Sequence, residues 1–286
     1  MAVVKVAMIQ QQGAYEKEKN VAKARQYIRQ AAQNGARIIC LQELFNTIYF
    51  CFEENAKYFD WAETIPGPTT DAIAEVARQE GVVVVCPIYE RSADVKAVRY
   101  NAAAVLGAQG ELMGIYRKHS IPLVRTESLS ANEKFYFNVG NTGFPVFQTP
   151  FGVNVGIVIC YDRHFPEGPR SVALNGADIM FVPTATWGMS RPIWEIELKG
   201  HAVFNLFYVG GVNRVGLDER GNPKGNFYGS SIFVTPLGEI TATASDQHDD
   251  IIYSDVDTGV IERIRDDWGL YRDRRPDAYG ALAAAK

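Results

Sequence analysis

The stretch Val153-Asn154-Val155-Gly156-Ile157-Val158-Ile159-Cys160-Tyr161-Asp162-Arg163-His164-Phe165-Pro166-Glu167 changes from apolar to polar at Cys160. The apolar half predicts a buried strand, and the polar half predicts an abrupt turn at its end. A rigid strand followed by such a turn can present a nucleophilic side chain. A free cysteine is also among the most often buried residue types, so for Cys160 alone inert core packing is the favoured interpretation.

Two other predicted strands end in a charged residue. Glu43 ends the run Ala36-Arg37-Ile38-Ile39-Cys40-Leu41-Gln42-Glu43, and Lys118 follows a short strand in Glu111-Leu112-Met113-Gly114-Ile115-Tyr116-Arg117-Lys118-His119-Ser120-Ile121-Pro122. Each charge alone is typical of a protein surface. Together with Cys160 they supply a base, a cation and a thiol.

These three residue types suit nucleophilic attack on a carbonyl carbon. A cysteine with a pKa of about 8.5 is mostly protonated at neutral pH and needs a base or cation nearby. Glu43 can take the thiol proton. Lys118 and the backbone amide of Tyr161 can then stabilise the negative charge that develops on the carbonyl oxygen.

The same segments resemble the signature segments of the nitrilase superfamily of carbon–nitrogen hydrolases, in that family's order. The resemblance extends over nearly the whole chain, through Asn132-Glu133-Lys134-Phe135-Tyr136-Phe137, Gly140-Asn141-Thr142-Gly143-Phe144-Pro145-Val146-Phe147, Pro183-Thr184-Ala185-Thr186-Trp187 and Asn213-Arg214-Val215-Gly216.

The resemblance implies a role for each matching residue. Cys160 would be the nucleophile, Glu43 the general base and Lys118 the stabiliser of the tetrahedral intermediate. Glu133 matches a second glutamate that many members carry in the pocket. Because the preceding stretch varies in length within the family, Glu127 lies close enough in sequence to compete for that match, and Glu133 could instead be an exposed loop carboxylate.

Composition and charge predict one globular domain over residues 1–286. Hydrophobic residues make up 47% and charged residues 22% of the chain, a composition without a disordered tract. The net charge of −4 disfavours nucleic acid as a partner. No segment reaches the roughly 20 apolar residues of a membrane span, and the N-terminus lacks a signal pattern, so we expect no membrane partner and a cytoplasmic location.

Alternating strand and helix signals predict an α/β fold with two sheets flanked by helices, although an open doubly wound sheet fits the same periodicity. The resemblance implies the four-layer αββα sandwich of the nitrilase type. We predict strands at 3–10, 36–41, 81–88, 99–107, 112–117, 153–159, 178–182, 206–213, 230–235, 239–244 and 251–255, and helices at 15–33, 69–79, 165–175 and 192–205.

The segment from about residue 257 is predicted to be a tail. Family members usually associate through their helical faces and C-terminal segments, so the resemblance implies a homo-oligomer, a dimer or larger. The aromatic residues Trp268, Tyr271 and Tyr279 make this tail a candidate contact arm. A solvated extension is the alternative.

Arg163, three residues after Cys160, is the main clue to the substrate. An arginine can bind a carboxylate through two hydrogen bonds, or it can form a salt bridge with a local carboxylate such as Asp162 or Glu167. Within the family, arginine at this place is typical of enzymes that cleave N-carbamoyl amino acids, whereas enzymes acting on carbamoylated polyamines tend to lack it. Trp187 is predicted to form a wall of the substrate pocket or, alternatively, to pack in the core.

The resemblance favours the β-ureidopropionase branch, which acts on N-carbamoyl-β-alanine in pyrimidine degradation. N-carbamoyl-D-amino acid hydrolases tend to carry two adjacent arginines where this chain has Arg163 and His164. An N-carbamoylputrescine amidase, an ω-amidase and a non-catalytic binding module on the same fold remain alternatives.

We predict no metal and no cofactor. The four cysteines show no paired metal-ligand spacing, and Cys160-x-Asp162-x-His164 is not a standard zinc pattern. A Cys160–His164 dyad is conceivable, but Glu43 already fills the role of the base. The thiol, base and cation are sufficient for amide hydrolysis.

Overall fold

The computed structural model describes residues 2–126 and 130–284, and within these ranges two six-stranded sheets face each other. The strands are β1 (Val3–Gln10), β2 (Ile38–Leu41), β3 (Val83–Arg91), β4 (Arg99–Leu106), β5 (Leu112–Arg117), β6 (Val124–Arg125), β7 (Ser130–Ala131), β8 (Val146–Gln148), β9 (Asn154–Ile157), β10 (Ile179–Pro183), β11 (Tyr208–Val212), β12 (Val215–Gly216), β13 (Phe227–Tyr228), β14 (Ile232–Val234), β15 (Ile240–Thr243) and β16 (Asp250–Asp257).

The α-helices are α1 (Lys17–Gln33), α2 (Pro68–Glu80), α3 (Glu133–Tyr136), α4 (Glu167–Leu174), α5 (Arg191–Asn205), α6 (Thr258–Asp267) and α7 (Gly280–Ala283). Short 3-10 helices span Phe50–Phe52, Ala56–Trp61, Cys160–His164, Gly188–Ser190 and Pro276–Ala278. None of the helices in the described ranges is both long and apolar enough to cross a membrane.

The two sheets share one pairing pattern. The first has the order β16-β1-β2-β3-β4-β5 and the second β15-β14-β11-β10-β9-β8. In each sheet three neighbouring strands run parallel, β1-β2-β3 in the first and β9-β10-β11 in the second, and the outer strands pair antiparallel. Because parallel strands end at the same edge of a sheet, residues that follow β2 and β9 emerge at matching edges.

The layers form the αββα sandwich that the resemblance implies. Side chains such as Met8, Val85, Ile157 and Phe181 fill the space between the sheets. A second cluster lies between the first sheet and helices α1 and α2, and a third lies between the second sheet and helices α4 and α5. The four-layer prediction is therefore confirmed.

Local sequence explains the main elements. Strand β2 is buried on both faces and reads Ile-Ile-Cys-Leu, as expected for a central parallel strand. Helix α1 buries Ala24, Ile28 and Ala31 along one face. Helix α2 begins with Pro68 and ends at Gly81, whose φ of +63° provides the left-handed stop that glycine adopts without strain.

The predicted strands at 3–10 and 112–117 are confirmed at both ends. Strand β8 and helix α6 are not predicted by the sequence analysis. Strand β8 has only three residues, too few for a periodic signal. Helix α6 lies in the predicted tail, yet its Ile261 is 1% exposed and belongs to the core between the sheets. The first part of that segment is thus packed on the body of the protein.

Candidate active site

Three strand ends bring Glu43, Lys118 and Cys160 together. Strands β2, β5 and β9 end one to three residues before them. Glu43 and Lys118 are fully buried, and the Lys118 Nζ lies 2.9 Å from the Glu43 Oε1. Cys160 is 8% exposed and senses the charges of both residues. The predicted base, cation and thiol therefore share one site.

Two of these strand ends carry a strained backbone. Cys160 has a φ of +48°, and Leu44, directly after Glu43, has a φ of +51°. Non-glycine residues seldom adopt this left-handed region, which costs about 1 to 3 kcal/mol and is held in place by the surrounding structure. The strain turns the chain sharply at the points where Glu43 and Cys160 are presented.

Lys118 lies between two carboxylates. Its Nζ donates to the Glu43 Oε1 at 2.9 Å and to the Glu133 Oε2 at 2.7 Å. Burial acts to lower the pKa of Lys118, but the charges of Glu133 and Glu43 outweigh it and raise that pKa well above its usual value. Lys118 is therefore a fixed ammonium cation at neutral pH.

Glu43 is held by three donors. Its Oε1 accepts from the Asn101 Nδ2 at 2.6 Å as well as from Lys118, and its Oε2 accepts from the Ala185 backbone amide at 2.7 Å. A carboxylate fixed in this way has one orientation and is prepared to act as a base on a neighbouring group.

Glu133 starts helix α3 and is 1% exposed. Its Oε1 accepts from the Tyr49 hydroxyl at 2.9 Å. Burial raises the pKa of Glu133 to about 7, against the opposing charge of Lys118 and with a further increase from Glu43. The alternative of an exposed loop carboxylate is wrong, because this side chain lies inside the site. Its competitor Glu127 lies outside the described residues.

The Cys160 thiol is protonated when the site is empty of substrate. Burial and the charge of Glu43 raise its pKa to about 12, although Lys118 and Arg163 act to lower it. A thiol in this state becomes a nucleophile only when a base removes its proton during attack.

Arg163 lies beside the thiol and is 1% exposed. Its Nη1 donates to the Cys160 carbonyl oxygen at 2.9 Å, and its Nε donates to the Glu197 Oε2 at 3.0 Å. The guanidinium carbon lies 5.2 Å from the centre of the Trp194 ring. Arg163 therefore forms a salt bridge with a carboxylate on α5, while Asp162 and Glu167 are not its partners within the described ranges.

Asp162 links two of the segments that carry the site. Its carboxylate accepts from the Tyr116 hydroxyl at 2.7 Å and from the backbone amides of Ser120 and Ile159 at 2.7 and 3.0 Å. These bonds tie the turn after Cys160 to the segment after Lys118. Asp162 thus fixes the distance between two of the three strand ends.

A cavity of about 270 Å³ opens above Cys160. Tyr161, Arg163 and Trp187, which the sequence analysis names as candidate substrate-binding residues, all line it. Its other lining residues are mainly aromatic and aliphatic: Tyr49, Pro122, Val124, Thr126, Ala131, Glu133, His164, Ala185, Thr186, Met189, Ser190 and Ile193. Trp187 packs against Tyr49 and Phe52 on its inner side, so it is both a wall and part of an aromatic cluster.

His164 is bound to Glu197 rather than to Cys160. Its Nδ1 lies 2.5 Å from the Glu197 Oε1. Over residues 2–126 and 130–284 no three His, Cys, Asp or Glu side chains are arranged to hold a metal ion. That no metal or cofactor is needed stays a prediction.

A family model for carbon–nitrogen hydrolases matches residues 5–266 of this sequence. The chain belongs to the carbon–nitrogen hydrolase family. It is therefore an enzyme that hydrolyses carbon–nitrogen bonds of amides.

Curated relatives of this carbon–nitrogen hydrolase act on several ureido compounds. It is 38% identical to an N-carbamoylputrescine amidase of Solanum lycopersicum, over 98% of the chain and 95% of the relative. It is 37% identical to a citrullinase of Francisella tularensis, over 99% of both. It is also 36% identical to a β-ureidopropionase of Arabidopsis thaliana, over 96% of the chain and 68% of the relative. The three sequence identities are nearly equal, so they favour none of these three substrates over the others.

The fold is also that of a solved relative. A carbon–nitrogen hydrolase from Helicobacter pylori G27 superposes with a TM-score of 0.89 and is 32% identical, with 99% of each chain covered.

Three residues of this carbon–nitrogen hydrolase's site are not predicted from the sequence: Tyr49, Asn101 and Glu197. Asn101 could have been found from the sequence, because it is the polar residue at the start of the apolar run Asn101-Ala102-Ala103-Ala104-Val105-Leu106. Tyr49 is hidden in an aromatic segment. Glu197 could not have been singled out from the sequence, because Glu195 and Lys199 are charged residues on the same helix.

Proposed function

We propose that this enzyme hydrolyses the terminal amide of small ureido compounds, with N-carbamoyl-β-alanine and related N-carbamoyl β-amino acids as substrates. The observation that carries the proposal is the cluster of Glu43, Lys118, Glu133 and Cys160, buried together beneath one cavity. The products would be ammonia, carbon dioxide and the free amino acid. The proposal includes a role in pyrimidine degradation and a cytoplasmic location.

The reaction begins with proton transfer. Glu43 takes the thiol proton as the Cys160 Sγ bonds to the ureido carbon, which a thiol with a pKa of about 12 requires. The carbonyl oxygen becomes an oxyanion, and Lys118 together with the Tyr161 amide stabilises it. Lys118 suits this task because its ammonium is buried and fixed between two carboxylates.

The intermediate then collapses. The bond between the carbon and the terminal nitrogen breaks, and ammonia leaves with a proton supplied by a glutamate. Water, activated by Glu43, attacks the remaining thioester-like carbon and releases Cys160. The resulting carbamate decomposes to carbon dioxide and the amino acid. Each step uses side chains of the site, so the route requires no metal or organic cofactor.

Arg163 supports an acidic substrate. It lines the cavity, and its Nη1 lies 3.9 Å from the Cys160 Sγ. A guanidinium in the wall of the cavity is a suitable partner for a substrate carboxylate.

N-carbamoylputrescine is the second candidate substrate. Glu197 already pairs with Arg163, so the charge of the arginine is largely neutralised before any substrate binds. A neutral distal site would accept a cationic chain more readily than an unpaired arginine would. The 38% identity to an N-carbamoylputrescine amidase agrees with this alternative.

Ammonia release from a substrate panel tests the proposal. The panel holds N-carbamoyl-β-alanine, N-carbamoyl-D-amino acids, N-carbamoylputrescine and a simple ω-amide, with Cys160→Ala as the blank. Turnover of the β-ureido acid that is lost in the variant supports the proposal. Preference for the putrescine compound would keep the chemistry and overturn the choice of substrate. Turnover of the ω-amide alone would overturn the ureido assignment, and no turnover at all would favour a non-catalytic module.

A further inference from the structure

Glu197, on helix α5, pairs with two side chains of the turn that follows Cys160, Arg163 and His164. Its Oε2 accepts from the Arg163 Nε at 3.0 Å, and its Oε1 lies 2.5 Å from the His164 Nδ1. Arg163 and His164 line the substrate cavity, whereas Glu197 does not. Glu197 therefore acts on a substrate without lining the cavity, through its contacts with those two residues and through its charge.

The position of Arg163 is set from α5 as a whole. Trp194 packs against the guanidinium with a 5.2 Å separation, and the His201 Nε2 lies 2.7 Å from the Arg163 carbonyl oxygen. Helix α5 thus contacts the Arg163 backbone, its planar face and its Nε. Among these contacts of α5 with Arg163, the one with Glu197 is an ion pair.

The carboxylate of Glu197 is ionised at neutral pH. Burial acts to raise its pKa, but the hydrogen bond from His164 and the charge of Arg163 outweigh burial and lower that pKa below its usual value. The Arg163–Glu197 pair is therefore neutral as a unit, and an incoming carboxylate meets a cation whose partner is another carboxylate. An incoming ammonium meets no net repulsion from the pair.

We propose that Glu197 is a positioning residue that determines specificity, because it sets the net charge that the distal end of the substrate meets. With Glu197 in place, the preference for an anionic distal group is weaker than Arg163 alone would give. Without its charge, Arg163 would favour an anionic group and repel a cationic one. This inference rests on the proposed function, since it concerns the substrate range of the same site.

The test compares kcat/KM for N-carbamoyl-β-alanine and N-carbamoylputrescine in the wild type and in Glu197→Gln. We expect the ratio of the two values to shift by about tenfold or more toward the anionic substrate, mainly through KM, because the variant keeps the size of the side chain and one acceptor oxygen for the Arg163 Nε and removes one charge close to the substrate. A purely structural role would lower both values together and leave the ratio unchanged, and that result would overturn the inference.

Two further variants keep the test decisive. Glu195→Gln lies on the same helix but removes only an exposed pair with Lys199, so its ratio should match the wild type. The double variant Arg163→Gln with Glu197→Gln removes both charges of the pair. Its ratio should return toward the wild-type value, because the site is again neutral. A double variant that keeps the shifted ratio would contradict the inference even if Glu197→Gln alone folds poorly.

Failure of the proposed function can be distinguished from failure of the inference about Glu197. If the wild type releases ammonia from neither ureido compound, the proposed function fails. The ratio is then measured with an anionic and a cationic amide of matched length, succinamate and 4-aminobutanamide. A shift toward succinamate in Glu197→Gln would support the inference on its own, and an unchanged ratio would overturn it.

Discussion

The thiol of Cys160 is kept protonated by its surroundings. Burial and the nearby Glu43 raise its pKa to about 12, so the unliganded enzyme holds very little thiolate at neutral pH. A stable thiolate would be open to oxidation and to alkylation. In the proposed mechanism, proton transfer to Glu43 during attack avoids this exposure, because the nucleophile forms only when an electrophilic carbon is in place.

Reactivity of Cys160 toward iodoacetamide should depend on Glu43. In Glu43→Gln we expect alkylation at pH 7 to be slower by about 10² to 10⁴, the usual contribution of a general base. Glu43→Gln removes one cause of the raised thiol pKa, but burial, the larger cause, remains. The variant's rate should therefore increase as the pH is raised from 7 to 10, whereas the wild-type rate should change much less. Mass spectrometry of the peptide containing Cys160 measures both rates.

The buried Cys40 and Cys86 are internal controls for that measurement, since burial raises the pKa of each and neither lies in the site. They should stay unmodified in every variant that remains folded. Equal alkylation rates in the wild type and in Glu43→Gln would show that Glu43 is not the base.

At the scale of elements, the sequence predicts the strand ends and misses the contacts that helices make with them. Glu43, Lys118 and Cys160 follow apolar runs, so their places at strand ends can be read locally. The pairing of Arg163 with Glu197 cannot be read in this way. It depends on how α5 lies across the second sheet, and this packing is decided by tertiary contacts.

Gly211 decides how closely α5 approaches strand β11. A Cβ at this position would lie 2.4 Å from the Leu198 Cδ1 and 2.9 Å from the Trp194 Cζ2. We therefore expect Gly211→Ala to lower the free energy of unfolding by about 1 to 3 kcal/mol, the usual effect of overpacking a core. It should also reduce kcat/KM, because α5 carries the contacts to Arg163. Urea unfolding and ammonia release measure the two effects.

Gly200→Ala is the matched control on the same helix. Its added Cβ would meet only the Phe204 ring at 3.5 Å, an ordinary contact distance. Replacing a glycine inside a helix by alanine should raise the free energy of unfolding by up to about 1 kcal/mol. If both variants behaved alike, the close packing at Gly211 would not be what positions α5.

At the scale of the whole molecule, the first and last long strands pair with each other. Strand β1 runs antiparallel to β16 through eight residue pairs from Val3↔Asp257 to Gln10↔Asp250. We propose that residues 1–286 form one domain, since the first sheet needs both ends of the chain. Helix α6 follows directly and buries Ile261, so the part of the predicted tail that is free to contact another subunit begins after it.

Beyond α6, the Tyr271 hydroxyl donates to the Asn205 carbonyl oxygen, and its ring lies near Arg265 and Arg170. The following residues leave Tyr279 and Leu282 on the surface, at 42% and 66% exposure. Apolar side chains held in this way on an ordered segment are typical of a contact surface. We propose that residues 274–284 serve the homo-oligomer that the sequence analysis predicts.

A chain shortened after Asp273 should assemble into a smaller species and keep its fold. Tyr271 remains in this variant, so its contacts with the body persist and we expect the free energy of unfolding per subunit to change little. Shortening the chain before Thr258 should instead unfold it, because burial of Ile261 in the core is lost. Light scattering coupled to size exclusion measures the mass of each species.

The replacement Val95→Ser is the control for this experiment. It removes an exposed apolar side chain elsewhere on the surface and should leave the mass of the assembly unchanged. If the chain shortened after Asp273 had the full-length assembly state, the tail would be only a surface extension, and the contacts between subunits would have to lie on another face.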